Sequence, residues 1–183
     1  MKIVVAVTAA SGAIYARLLL EQLIACEQVE RIGLILSSNA AAVVEAEGVQ
    51  LPSSAKIERF DNDDMFSSPA SGSARWSAMV VVPSSVATVG RIASGVSQSL
   101  IERAADVMLK ERRPLIMVVR ETPLSLIHLR NMTLLTEAGA VILPAAPSFY
   151  SRPETIEQLC LTVVERVVAL LGLEMPHYEW GAK

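Results

Sequence analysis

The chain has 183 residues, 52% of them hydrophobic and 19% charged, with 16 Lys and Arg against 19 Asp and Glu for a formal charge of −3. That length and apolar share suit one compact domain with a sizeable core and exclude an intrinsically disordered chain. No dense Lys/Arg run marks a nucleic-acid binder, and no uncharged apolar stretch reaches the roughly 18 to 20 residues of a membrane span.

In chain order, residues 3–8 form a β-branched run closed by small residues, and apolar residues at helical spacing follow over 15–25. This reads as strand, tight turn, helix. Residues 32–36, the turn Ser37-Ser38-Asn39 and a helix over 40–46 repeat the unit. Residues 48–77, rich in Ser with two Pro and an Asp61-Asn62-Asp63-Asp64 run, predict irregular chain containing a short edge element. A strand over 78–82 follows, closed by Pro83-Ser84-Ser85, then helices near 88–92 and over 97–110. The remainder alternates a strand over 114–119 ended by Arg120-Glu121, a helix over 125–138, a strand over 140–143 and a helix over 156–171, with a tail at about 173–183. Strands apolar on both faces and alternating with helices predict a parallel sheet covered on both sides. The expected fold is α/β and doubly wound, a Rossmann-like (flavodoxin-like) three-layer sandwich forming a single domain over 1–183, with residues 48–77 as an insertion.

Cys26 and Cys160 lie far apart and build no metal-ligand cluster with His128 and His177. The apolar run at the N-terminus is too short for a signal peptide, so a cytoplasmic protein is expected. In doubly wound sheets ligands bind beyond the carboxyl ends of the strands. Ser11-Gly12, Ser37-Ser38, Ser84-Ser85 and Arg120-Glu121 are four such ends, and hydroxyls beside helix N-termini suit a phosphorylated ligand. Taken singly, Ser37 and Ser85 also read as helix N-caps, Lys110 as part of a solvated charge run, and Tyr150 and Arg166 as packing around the last helix. His128, among Leu126, Ile127 and Leu129, reads as structural.

Thr8-Ala9-Ala10-Ser11-Gly12 resembles the opening motif of the UbiX-type flavin prenyltransferases. Leu100-Ile101-Glu102-Arg103-Ala104-Ala105-Asp106, Lys110-Glu111-Arg112-Arg113-Pro114, Arg120-Glu121-Thr122-Pro123, His128-Leu129-Arg130-Asn131-Met132 and Gly139-Ala140-Val141-Ile142-Leu143-Pro144 look like the same family, and Phe149-Tyr150, Arg166 and Trp180-Gly181 complete the match. The resemblance implies a metal-independent enzyme that joins a dimethylallyl group, from dimethylallyl phosphate, to N5 and C6 of reduced FMN. It implies that a UbiD-type decarboxylase receives the prenylated FMN, and that trimers assemble into a homo-dodecamer whose flavin pocket is completed by neighbouring subunits. By motif position it assigns Ala9, Ala10, Ser11, Ser37, Ser85, Val86, Ala87, Thr88 and Arg120 to FMN. Lys110, Arg120, Glu121, Tyr150 and Arg166 fall to the prenyl phosphate, and Ser11, Glu47, Lys110 and Glu121 to catalysis.

The residue types fit that chemistry. Breaking an allylic C–O bond leaves a phosphate, so without a metal the countercharge must come from a cationic rim of Lys110, Arg120 and Arg166. Arg suits phosphate through its planar fork, and Tyr150 adds a hydroxyl. Glu121 is the natural proton handler for the leaving group and for ring closure. The sequence departs from the family pattern at Ala9, which requires a negative φ there, at Met65, Ser84 and Val86-Ala87. A non-catalytic FMN-binding paralogue or decarboxylase-complex subunit is therefore the alternative. A phosphopantothenoylcysteine-decarboxylase-like enzyme is disfavoured by the lack of a His after the first turn.

Overall fold

In the computed structural model, which describes residues 1–175, the chain runs β1 (Lys2–Val7), α1 (Ala13–Ala25), β2 (Arg31–Leu36), α2 (Ala40–Ala46) and β3 (Ile57–Phe60). Two 3₁₀ turns follow at Ser68–Ala70 and Gly72–Ala74. The chain continues with β4 (Ala78–Ser84), α3 (Val86–Ala93), α4 (Leu100–Lys110), β5 (Leu115–Val119), α5 (Leu126–Glu137), β6 (Val141–Pro144) and α6 (Ile156–Leu170). Trp180-Gly181 and most of the expected tail lie outside the described residues.

All six strands are parallel, in the order β3-β2-β1-β4-β5-β6. This is the Rossmann order, and without the short edge strand β3 it is the flavodoxin order. The edge element anticipated in the irregular 48–77 segment is β3, paired to β2 alone.

Period-2 alternation distributes the strand side chains between two cores. Ile3, Val5 and Val7 of β1, Ala78, Val80 and Val82 of β4, and Ile116 and Val118 of β5 face α1 and α6. Val4 and Ala6, Met79 and Val81, and Leu115, Met117 and Val119 face the side covered by α3, α4 and α5. Because every β-strand residue from Ile3 to Val7 is buried, these strands read in sequence as unbroken apolar runs rather than as alternating ones. Trp76 closes the second core over β2, and a Cβ at Gly33 would lie 2.8 Å from its ring. Only Leu135 of α5 is buried, while Leu126 and Ile127 are 61% and 69% exposed. The outer face of α5 is thus apolar in a single chain.

Strand order reverses between β1 and β4, so the connections leaving their carboxyl ends pass to opposite faces of the sheet and open a crevice, the switch point at which this class of sheet receives ligands. Among the described residues no helix is long and apolar enough to cross a membrane.

Candidate functional site

Thr8, at the end of β1, is 2% exposed and fastens the two sides of the switch point together. Its hydroxyl donates to the Pro83 carbonyl and accepts the Ser85 N–H, both at 2.8 Å. That bridge sets the start of α3, where Ser85 is the N-cap and its Oγ accepts the Thr88 N–H. The next N–H groups, those of Val86 and Ala87, belong to the first turn and have no partner within the helix. Ser37, expected as a site residue or a cap, does not cap α2; Asn39 holds that position. Instead Ser37 faces a cavity of about 530 Å³ that also takes in Ala9, Ser85, Ala87, Thr88, Arg91 and Glu102.

The turn after β1 is built around Gly12, whose φ of +109° only glycine adopts readily, and an added Cβ would lie 2.9 Å from the Tyr15 ring. Ala9 has no positive φ, which satisfies the condition its replacement of glycine imposes. Burial, with Cys160 beside it, pushes the Tyr15 phenol up to about 12, so the ring closing on this turn stays neutral.

Glu47 arrives from the end of α2 and caps α1. Its carboxylate accepts the N–H groups of Gly12 (2.9 Å) and Ala13 (2.7 Å). Burial opposes its ionisation, but the Ser11 hydroxyl, these two N–H groups and the Arg120 charge outweigh it and hold the carboxyl below the usual range. A folded value below the unfolded one means the contribution exists above the ordinary glutamate value and disappears as pH falls through the folded value. Glu47→Gln is therefore expected to lower stability at neutral pH by about 1 kcal/mol, the size of a lost helix cap. Melting curves of the two proteins should converge as the pH is taken below 4.5; a gap that persists in acid would exclude this origin.

Arg120 closes the group. Its Nε donates to the Ser11 carbonyl at 3.1 Å, and its backbone N–H to the Ser84 carbonyl at 3.1 Å, so the end of β5 is tied to both strand ends of the crevice. Glu121 follows, half-buried, with Oε1 accepting the Thr122 N–H at 3.0 Å. Ala9, Ala10, Ser11, Ser37, Glu47, Ser85 to Thr88, Arg120 and Glu121 thus all belong to the carboxyl rim.

The other three expected residues stand apart. Tyr150 is exposed in the turn after β6, and Arg166, on α6, lines a shallow hollow of about 300 Å³ with Pro144, Ser148 and Thr162. Lys110 is at the opposite end of the sheet. It closes α4, which runs back toward the start of β5, and pairs with Glu111 at 2.7 Å. Arg113, three residues on, donates to the carbonyls of Gly72 and Trp76, while Lys2, at the start of β1, holds that of Ala74. Arg166 thus sits by the carboxyl end of β6, but the expected rim of Lys110, Arg120 and Arg166 lacks Lys110 within one chain, because the antiparallel return helix α4 carries its C-terminus away from the strand ends.

Sequence reasoning missed several residues of the cavity: Asn62 and Asp63 from the irregular segment, Arg91, and Gln98, Ser99, Ile101 and Glu102. A readable signal existed for the last, since Ser99 and Glu102 form a capping box.

The cavity fits a phosphorylated flavin. Its volume lies in the range of roughly 300–1,000 Å³ typical of small-molecule pockets, and its wall offers hydroxyls, a helix start and one guanidinium. Among the described residues no cluster of three or more His, Cys, Asp or Glu is arranged to hold a metal.

Comparison with known proteins agrees with this geometry. Residues 1–170 match the family model described as Flavoprotein. The chain is 41% identical over 185 residues to the flavin prenyltransferase UbiX of Methanocaldococcus jannaschii, covering 99% of each protein. Among solved structures it superposes on a dodecameric FMN-dependent UbiX-like decarboxylase from Escherichia coli O157:H7 with a TM-score of 0.91 at 38% identity, over 100% of both chains. It also superposes on AnUbiX in complex with FMN and dimethylallyl pyrophosphate with a TM-score of 0.86 at 41% identity, over 98% of both.

Proposed function

This chain belongs to the UbiX-type flavin prenyltransferases of the Flavoprotein family, and we propose that it joins the dimethylallyl group of dimethylallyl phosphate to N5 and C6 of reduced FMN. The observation that carries the reading is the polar cavity at the β1/β4 switch point, with Arg120 and Glu121 at the adjoining end of β5. Reduced FMN supplies the electron-rich N5 and C6 that are alkylated.

The chain's own residues bind, orient and move protons. The start of α3, with Ser85, Thr88 and the N–H groups of Val86 and Ala87, receives the FMN phosphate together with Ser37. Ala9, Ala10 and Ser11 form the floor along the flavin, and Glu47 fixes that floor by capping α1. Arg120, Tyr150 and Arg166 hold the prenyl phosphate with Lys110, which reaches the crevice from a neighbouring copy. Fixed cations in a site closed by subunit contacts stabilise the charge that builds on the departing phosphate without having to reorganise. Glu121 holds the proton that this phosphate takes up, and accepts one when ring closure at C6 releases it. The active form is a homo-dodecamer assembled from trimers in the cytoplasm, in which the apolar face of α5 is covered by another subunit. Its product goes to a UbiD-type decarboxylase.

Incubation with reduced FMN and dimethylallyl phosphate, followed by mass spectrometry of the released flavin, tests the reaction. A gain of one C5H8 unit is expected. Bound but unaltered flavin would favour the non-catalytic alternative, and the diphosphate in a parallel sample reports which ester is used.

A further inference from the structure

Arg91 is the one basic side chain among the residues lining the 530 Å³ cavity, where Asp63 and Glu102 are the acidic ones. It stands in the last turn of α3, one turn after Thr88, and its Nη2 reaches back to donate to Thr88 Oγ1 at 3.3 Å. The Thr88 hydroxyl in turn lies 3.1 Å from Ser85 Oγ, so guanidinium and two hydroxyls form a single hydrogen-bonded row along one wall. The Nε of Arg91 is ion-paired with Glu102 Oε1.

Glu102 is unusual in being 3% exposed while carrying a carboxylate. Its Oε2 accepts the N–H groups of Gln98 at 2.8 Å and Ser99 at 3.1 Å, and it lies in the first turn of α4, where the helix dipole favours negative charge. The carboxylate is therefore held at both oxygens and partly neutralised by backbone, so Arg91 is not its sole counter-ion. A guanidinium has five N–H donors in a rigid fork. Those left by Glu102 and Thr88 are set beside the hydroxyl row, and a doubly charged ligand group has no other side-chain cation in this cavity to meet.

We propose that Arg91, mounted on Glu102, grips the FMN phosphate and makes the cavity select FMN over riboflavin. The inference rests on the flavin reading above. Arg91 is a specificity residue and Glu102 its positioning residue; neither touches the atoms that react.

Titration of the purified full chain with FMN and, separately, with riboflavin tests this. Arg91→Met is expected to weaken FMN about 10- to 100-fold, the worth of a charge-assisted hydrogen bond, and to leave riboflavin affinity unchanged. The lost affinity should also remove part of the salt dependence of FMN binding. Because that variant leaves Glu102 without its cation, the same titrations on Arg91→Met/Glu102→Gln decide the matter if the single variant does not fold. Glu102→Gln alone should lower the FMN-to-riboflavin preference in part, whereas a purely structural Glu102 would change the melting temperature and leave the preference untouched. An FMN-to-riboflavin ratio equal to that of the unaltered protein in the Arg91 variants overturns the proposal while the flavin reading stands. Failure of the unaltered protein to bind either flavin overturns both.

Discussion

Exchanging Glu121 for Gln is expected to leave FMN bound and to slow its prenylation about 10²- to 10⁴-fold, the range associated with a lost general acid–base group. The substitution is nearly isosteric, and the amide oxygen can still accept the Thr122 N–H that Glu121 Oε1 holds at 3.0 Å. The turn after β5 therefore keeps its shape, and Arg120 keeps its bond to the Ser11 carbonyl. Glu121 does not line the cavity in which the flavin is placed, so affinity for FMN should not follow the rate. Flavin retained through desalting and a single-turnover time course of the C5H8 gain separate the two effects. Unaltered turnover would remove Glu121 from its assigned role, and loss of flavin would reassign it to binding.

Lys110→Ala is expected to be comparably damaging to turnover, but curable by a second defective chain. Lys110 lies at the amino end of the sheet and Glu121 at the carboxyl end, separated by the whole length of β5. At about 3.3 Å per residue, that strand alone spans more than twice the length of a lysine side chain. If Lys110 serves its neighbour's site, oligomers assembled from equal amounts of Lys110→Ala and Glu121→Gln chains contain sites in which both groups are intact. Random assembly places them in roughly a quarter of sites, given a closed ring of equivalent contacts. Each variant alone should be nearly inert and the co-refolded mixture active. A mixture as inert as its components would place Lys110 outside the site of any subunit.

The architecture was legible because the four inner strands β1, β2, β4 and β5 are buried on both faces, which writes them as plain apolar runs, and because these four end in Ser, Thr or Arg. Even β3 was expected in kind, as a short edge element within 48–77, although its Ile57-Glu58-Arg59-Phe60 sequence, half charged, did not mark its place. Cap chemistry was readable at Ser85 of α3, whereas His128, read only as structural among apolar neighbours, turns out to accept the Ser125 N–H at Nδ1 in a reciprocal cap of α5. What sequence did not disclose was direction. Lys110 is the last residue of a helix, and its charged neighbours are the same whether that end faces the rim or the opposite side; only the antiparallel run of α4 decides. The pairing of Arg91 with Glu102, 11 residues apart across the α3–α4 turn, was hidden for a similar reason, since no helical or strand period connects them. The role of Thr8 was likewise silent, because its two bonds cross to β4, more than 70 residues later.

The cap on α1 also bears on which nucleotides this scaffold accepts. In related sheets the N–H groups at the beginning of that helix cradle the pyrophosphate of NAD or FAD. Here the Glu47 carboxylate already takes the Gly12 and Ala13 donors, so an incoming pyrophosphate would find repulsion where it needs attraction. That dinucleotide seat is filled from within, and discrimination against two-phosphate cofactors is set by the Glu47 carboxylate before any substrate arrives.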